Sequence, residues 1–172
     1  MDDKAKFWKD LTSGRFASMV KESSKGRPLA NSLEAYHVLK PLFAAENDVE
    51  KMYFIFLDSQ NRILSIESLF SGTLQSCSIY TREVVKRLIG TKAAAIVAAH
   101  NHPSGDVTPS PEDRSISIKI GIAAAAIDVV LHDHLIVGDG YHSMADTGWL
   151  KKVTRQFANL LKSEPTMKGE ES

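Results

Sequence analysis

The sequence has a single cysteine, Cys77, among its 172 residues. That scarcity excludes an internal disulfide framework and a zinc finger built on cysteines, and it fits a reducing compartment. Cys77 has no base beside it in the sequence, so a buried or incidental thiol is the simpler interpretation of it.

Long apolar runs are also missing. The longest, near residues 93–99 and 121–127, are far shorter than the roughly 20 residues that cross a bilayer. The chain begins with Met-Asp-Asp-Lys, which opens no apolar signal segment. We therefore expect a cytoplasmic protein with no membrane partner.

Net charge is absent too, because 21 basic residues balance 21 acidic ones. The distribution is uneven: residues 1–30 carry seven Lys or Arg against four acids, whereas residues 31–149 carry nine against fourteen. Binding to nucleic acid depends on clustered positive charge, so the acidic middle argues against a nucleic-acid groove there. The basic N-terminal segment could touch a polyanion, but a solvated arm is the simpler interpretation, and a nucleic-acid partner is only weakly supported.

What is present is the composition of a globular protein, with 43% hydrophobic and 24% charged residues. The length suits one domain. Changes in pattern along the chain predict a basic flexible arm over residues 1–30, with a short helix near Phe7 and Trp8. They predict a folded domain over residues 31–162 and a polar tail over residues 163–172.

Hydrophobic periodicity predicts an α/β fold, in which helices flank a mixed β-sheet. Strands are expected at residues 52–57, 63–68, 93–99, 129–137 and 141–144. Helices are expected from residue 31 or 32, over residues 81–89, from Ser110 to about residue 126, and from about residue 146. The helix after Ser110 has a capping residue, a proline at its first position and an acid at its third. Gly138-Asp139-Gly140 is typical of a hairpin turn rather than a phosphate-binding loop.

The densest cluster of chemistry-bearing residues is His100 and His102, followed by Ser110 and Asp113. If the strand continues to residue 102, the two imidazoles lie on one face, because strand side chains alternate. The turn after the strand brings the next helix back, so Asp113 can face both rings. Two imidazoles and a carboxylate predict a three-ligand site, with Zn²⁺ favoured and a fourth position open for water. The alternative is that the histidines are structural and that Ser110 with Asp113 is only a helix cap.

A second histidine pair, His132 and His134, flanks Asp133 with the same spacing. A second metal pair is conceivable, but neither a third ligand nor a turn accompanies it. A structural role, or a role behind the metal ligands, is the favoured interpretation.

The spacing from His100 to Asp113 has a known counterpart. His100-x-His102-Pro103, six residues, then Ser110-x-x-Asp113 matches the signature of the JAB1/MPN/Mov34 metalloenzyme family, the JAMM metallopeptidases. Four longer stretches resemble the RadC branch of that family over roughly residues 32–150: FSGTL from residue 70, TRE from 81, HNHPSGD from 100 and DHLIVGDG from 133. This resemblance implies a JAMM/MPN-like, cytidine-deaminase-like α/β fold.

RadC proteins of full length carry an additional N-terminal helical region related to DNA-binding helix-hairpin-helix modules. The segment before residue 30 is too short to hold such a region. A DNA role that depends on it is therefore not expected of this chain.

The resemblance also implies a zinc-dependent, metallopeptidase-type hydrolase that cleaves a peptide or isopeptide amide bond in a peptide or protein substrate. His100, His102 and Asp113 would hold the metal, and Glu67 would be the general base that takes a proton from the attacking water and delivers it to the leaving amine. Without the resemblance, Glu67 is merely a charged residue at a strand end. The Ser110 hydroxyl could cap the helix and also donate to an oxyanion. The alternative function is a non-catalytic or DNA-associated accessory protein of the RadC group.

Overall fold

The computed structural model describes residues 2–44, 49–71 and 77–162. Within these ranges the helices are α1 (Asp3–Thr12), α2 (Arg15–Ser24), α3 (Ser32–Ala44), α4 (Cys77–Thr91), α5 (Pro111–Ala125) and α6 (Trp149–Lys162). The strands are β1 (Lys51–Leu57), β2 (Ile63–Ser71), β3 (Ala95–Asn101), β4 (Val130–Gly138) and β5 (Gly140–Ser143). The predicted α/β fold is confirmed.

The five strands form one mixed sheet in the order β2-β1-β3-β4-β5. β3 and β4 are parallel, and the other neighbouring pairs are antiparallel. A parallel pair needs a crossover, and α5 supplies it between β3 and β4. This connection brings the start of α5 back over the sheet near the carboxyl end of β3.

Alternation along the strands divides the core between the two faces of the sheet. One face packs against α3, with buried residues that include Leu39, Leu42, Tyr53, Ile55 and Val97. The other face packs against α4 and α5, with buried residues that include Phe54, Phe56, Val84, Ile96, Ala98 and Ile116. Every residue of β3 is buried, so a polar side chain at the end of β3 needs a partner from the helices or from β4.

Three helix boundaries differ from the prediction, and the first is the start of α4, which lies at Cys77 rather than at residue 81. α4 passes through Gly90 and ends at Thr91, because Lys92 adopts the left-handed conformation, with φ 55°. α6 begins at Trp149 rather than near residue 146. A turn over residues 143–148, closed by Gly148 at φ 74°, precedes it.

The N-terminal segment is more ordered than the sequence predicted. The expected short helix near Phe7 and Trp8 is present as α1, but α2 follows it and packs Ala17 and Val20 against the core. The apolar stripe of α2 is short and lies among polar residues, so it produced no recognisable period. The sequence analysis thus predicted α1 but not α2, and the domain boundaries stay predictions.

None of the helices in the described ranges has both the length and the apolar character that crossing a bilayer requires.

Candidate metal centre

Two neighbouring elements carry the predicted ligands. His100 lies at the penultimate position of β3, and Asp113 lies in the first turn of α5. His102 follows the strand, but its backbone N–H donates to Val137 O at 2.8 Å and so extends the ladder between β3 and β4. This extended backbone keeps His102 beside His100.

The three predicted ligands converge. His100 Nε2 lies 2.9 Å from Asp113 Oδ1 and 3.0 Å from His102 Nε2, and His102 Nε2 lies 3.4 Å from Asp113 Oδ2. His100 and Asp113 are buried, whereas 14% of the His102 side chain is exposed. The site therefore has a closed side and a partly open side, and these residues could hold a metal ion.

The spacing of the donor atoms suits zinc. A tetrahedral zinc ion with ligand bonds of about 2.0–2.1 Å holds neighbouring ligand atoms about 3.3 Å apart. The separations from His100 Nε2, 2.9 Å to Asp113 Oδ1 and 3.0 Å to His102 Nε2, lie close to that value, and His102 Nε2 lies 3.4 Å from the other carboxylate oxygen, Asp113 Oδ2. Two imidazoles and one carboxylate are also a donor set that zinc accepts in sites that keep an open position.

The helix cap orients the carboxylate of Asp113. Ser110 Oγ accepts a hydrogen bond from Asp113 N at 3.1 Å, and Asp113 Oδ2 accepts one from Ser110 N at 2.8 Å. The prediction that Ser110 caps α5 is confirmed. Its donation to an oxyanion stays a prediction, but the hydroxyl uses only a lone pair in the cap and keeps its proton.

Hydrogen bonds keep Asp113 ionised although it is buried. Burial raises the pKa of its carboxyl group, but the hydrogen bond and the positive charge of His100 and the hydrogen bonds from Ser110 lower it further. The net result is a pKa well below the usual range. A carboxylate in this state can bind a cation without first losing a proton.

Each ligand histidine has a partner at its second nitrogen. His102 Nδ1 lies 2.6 Å from Asp106 O, and His100 Nδ1 lies 2.8 Å from His134 Nε2. His134 Nδ1 in turn lies 2.5 Å from Ser117 Oγ, which donates to Asp113 O at 2.6 Å. Burial and the neighbouring charge of His100 hold the pKa of His134 well below its ordinary value.

Sequence reasoning missed Ser117 and Asp106. The available signal for Ser117 was its position four residues after Asp113, which places both on one face of a helix.

His134 and His132 do not form a second metal pair with each other. The register of β3 and β4 passes from Ile96 opposite Leu131 to Val97 opposite Asp133, so His132 is an extra residue in β4. Its Nε2 lies 2.9 Å from Asn61 Oδ1, whereas His134 contacts His100. This bulge interrupts the alternation of side chains that the spacing of the two histidines implied.

The proposed base, Glu67, is held elsewhere in the sheet. Its Oε2 accepts from Arg87 Nε at 2.6 Å within an ion pair, and its Oε1 accepts from Ser65 Oγ at 3.1 Å. Glu67 lies opposite Phe54 in β1, which lies opposite Ala98 in β3. Strand spacing and rise then put the Glu67 and His100 Cα atoms about 12 Å apart. Among the contacts of the described residues, none joins Glu67 to the three ligands, and its role as base stays a prediction.

The β4–β5 hairpin supports the turn that carries His102. Asp139 N donates to Gly105 O at 2.9 Å, and a Cβ atom at Gly138 would collide with that same carbonyl oxygen. Gly105 itself has φ +85°, a conformation that favours glycine. The segment Gly138-Asp139-Gly140 is therefore a hairpin turn, as predicted, and its close packing explains the glycine at position 138.

Comparison with known proteins identifies the family of this chain. Residues 29–149 match the family described as RadC-like JAB domain. A UPF0758 protein of Vibrio atlanticus is 47% identical over 102 residues, which are 59% of this chain and 46% of the relative. A UPF0758 protein of Vibrio cholerae serotype O1 is 46% identical over 101 residues, 59% of this chain and 64% of the relative. A third, from Aliivibrio fischeri, is 48% identical over 102 residues, with coverage of 59% and 46%.

The chain thus spans 46–64% of the length of these relatives. The family match, by contrast, covers more than half of this chain and includes the two histidines, Ser110 and Asp113. On that basis, the protein belongs to the family of RadC-like JAB domains.

Proposed function

We propose that this protein is a zinc-dependent hydrolase of the metallopeptidase type, which cleaves a peptide or isopeptide amide bond with a metal-activated water. One observation carries the proposal: the donor atoms of His100, His102 and Asp113 lie within 4.8 Å of one another, and His100 Nε2 lies 2.9 and 3.0 Å from the other two residues, near the spacing of a tetrahedral zinc site. Membership of the JAB family supports a hydrolase. The proposal names the substrate only by its class, because specificity lies in loops that vary between relatives.

The proposal gives each of these residues a role. His100 and His102 offer Nε2, and Asp113 offers a carboxylate oxygen. When bound in such a site, zinc acidifies a water molecule and polarises a carbonyl group. The partly exposed side at His102 lets a substrate approach, and Ser110 has a hydroxyl proton to donate to the oxygen on which negative charge develops.

Glu67 has the chemistry of a base, but it must move to act as one. Its carboxylate is engaged with Arg87 and Ser65, so proton transfer at the metal requires the side chain to leave those partners. Released, it can take the proton of the attacking water and pass it to the leaving amine.

The pairing of Glu67 with Arg87 also favours a second candidate function. A protein that binds zinc and keeps its carboxylate in this ion pair would be a non-catalytic metal protein, such as an accessory protein of the RadC group. The two candidates share the metal and differ in turnover.

The deciding experiment measures metal and turnover together. The purified protein is assayed for zinc content and then for cleavage of a peptide library, with and without a chelator. We expect about one zinc per chain and cleavage that the chelator abolishes. In Glu67→Gln, zinc content should be kept and cleavage should be lost.

Three outcomes would contradict parts of this scheme. Equal zinc loss in Glu67→Gln and Asp113→Ala would make Glu67 a ligand rather than a base. Zinc without cleavage would favour the non-catalytic candidate. Absence of zinc together with salt-sensitive binding to DNA would favour a DNA-associated accessory protein.

A further inference from the structure

We propose that His134 and Ser117 are positioning residues, which hold His100 in the tautomer that presents the Nε2 lone pair to the metal. The inference rests on the metal-binding part of the proposed function and does not depend on which bond is cleaved.

The direction of the hydrogen bonds starts at Ser117. Its hydroxyl has one proton, and the two closest polar atoms around it are Asp113 O at 2.6 Å and His134 Nδ1 at 2.5 Å. A carbonyl oxygen can only accept, so the proton of Ser117 goes to Asp113 O. Met144 Sδ, at 3.2 Å, is farther away and is a weaker acceptor. The contact with His134 must therefore use a lone pair of Ser117 Oγ, and His134 Nδ1 must be the donor.

The next step assigns the protons of the two rings. His134 is fully buried, a setting that favours the neutral ring with one N–H. With that hydrogen on Nδ1, the opposite nitrogen, Nε2, has only a lone pair. His134 Nε2 faces His100 Nδ1 at 2.8 Å, so His100 Nδ1 must donate. In the zinc-loaded protein, where no proton occupies the ligand atom, His100 would then have its lone pair on Nε2, the atom that faces Asp113 and His102.

The chain of hydrogen bonds joins the elements that carry two of the ligands. It runs from His100 on β3 to His134 on β4, then to Ser117 on α5, and ends on the backbone of Asp113. Two ligands thus share one network, which fixes both the ring orientation of His100 and its distance from the start of α5.

A second network fixes His134 itself. Asp133 Oδ1 accepts from His134 N at 2.7 Å and from Ala145 N at 2.9 Å, and Asp133 Oδ2 accepts from Ser143 Oγ. These bonds tie β4 to β5 at the residue that precedes His134. The bulge at His132 ends just before this point, which allows His134 to point toward β3 and α5.

The two ligand histidines differ in how they are supported. His102 depends on a backbone carbonyl, that of Asp106, which no side-chain replacement removes. His100 depends on a side chain, so substitution at position 134 can test the role directly.

The test compares His134→Gln with His134→Leu in the full chain. Both replacements are uncharged and similar in size, but only glutamine places an oxygen near the former Nε2 and can accept from His100 Nδ1. Zinc affinity is measured by competition with a chromophoric chelator at one pH, and circular dichroism confirms that each variant is folded. We expect His134→Leu to lose about 10–100-fold in zinc affinity, as is typical when a partner of a metal ligand is removed. His134→Gln should lose clearly less, and Ser117→Ala should fall between the wild type and His134→Leu.

A second measurement needs no variant. Long-range proton–nitrogen correlation spectra of the zinc-loaded protein report which ring nitrogen of each histidine carries hydrogen. We expect His134 to carry it on Nδ1 and to have an unprotonated Nε2. A hydrogen on His134 Nε2, or equal zinc affinities for the leucine and glutamine variants, would overturn the inference.

The failures of the two proposals are distinguishable. If zinc binds with the expected order of affinities but no peptide is cleaved, the positioning role is supported and the peptidase is not. If peptide is cleaved while the variants bind zinc equally well, the positioning role is wrong and the peptidase stands. A wild-type protein that binds no zinc would overturn both.

Discussion

Two regions on the same face of the sheet contain the residues of the proposed chemistry, and they are built differently. The ligand region, where the end of β3 meets the start of α5, is largely buried, and its polar side chains are joined by hydrogen bonds. The base region, where Glu67 on β2 meets Arg87 on α4, lies at the sheet edge, and 45% of the Arg87 side chain is exposed. The difference indicates that the candidate metal ligands are preorganised, whereas Glu67, the proposed base, would have to be released from its ion pair. Metal affinity and turnover should therefore respond to different substitutions.

The largest effect should follow from Asp113→Ala, which removes one of the three candidate ligands and half of the capping box. We expect zinc affinity to fall by about 10³-fold or more, because two imidazoles alone make a poor zinc site. Asp113→Asn is the matched control, since its side-chain oxygen can still accept from Ser110 N although its charge is gone. Zinc titrations with chelator competition measure both variants, and wild-type affinity in Asp113→Ala would remove this residue from the ligand set.

Gly138→Ala should cost the next largest amount, because its methyl group would be driven into the backbone of Gly105. We expect the free energy of unfolding to fall by about 1–3 kcal/mol and the turn that carries His102 to shift. Gly121→Ala is the control: a Cβ there meets only Leu131 at 3.6 Å, and alanine favours a helix. Urea denaturation compares the two variants. An unchanged free energy of unfolding in Gly138→Ala would show that the hairpin can shift to accommodate the methyl group at little cost.

The pH dependence of the metal-free protein should reveal the buried rings of the ligand region. His134 has a lowered pKa in the folded protein, so below the ordinary histidine pKa of about 6.5 the unfolded chain binds more protons. The contribution of His134 to the free energy of unfolding is present above about pH 6.5. It should be lost as the pH falls below that value, by at most about 1.4 kcal/mol per pH unit.

His134→Gln isolates that contribution. In chelator-treated samples, the free energy of unfolding of this variant should fall less steeply between pH 7 and pH 5 than that of the wild type. Parallel stability curves for the variant and the wild type would argue against a neutral His134.

At lower pH, Asp113 should dominate the loss of stability. The folded-state pKa of its carboxyl is depressed, so its stabilising contribution is present above the unfolded value of about 3.9 and is lost as the pH falls below it. Stability that did not decline from pH 4 downward would contradict the ionised, hydrogen-bonded state of Asp113.

The smallest effect is expected for Arg87→Met, which breaks the ion pair in the base region. Because Arg87 is substantially exposed, the loss of stability should stay below about 1 kcal/mol, and zinc affinity should not change. Thermal unfolding and zinc titration check both statements. A fall in zinc affinity of tenfold or more would show that the two regions are coupled rather than independent.

Much of the ligand region was predictable because its determinants are close together in the sequence. His100, His102, Ser110 and Asp113 occupy a span of fourteen residues. Strand alternation, the turn after Pro103 and the cap at Ser110 are local rules that depend little on the rest of the chain. The α2 packing was less predictable, since its short apolar stripe has meaning only against the sheet that it covers.

The sequence by itself therefore determined the order of the strands and helices from α3 onward, the start of α5 and the set of residues that could hold a metal. Only the tertiary structure decided what stands behind and beside that set. The bond from His100 to His134 and the ion pair from Glu67 to Arg87 join residues 34 and 20 positions apart. Which of these side chains meet depends on strand order and on a one-residue bulge in β4, and both are settled by packing across the sheet rather than by neighbouring residues.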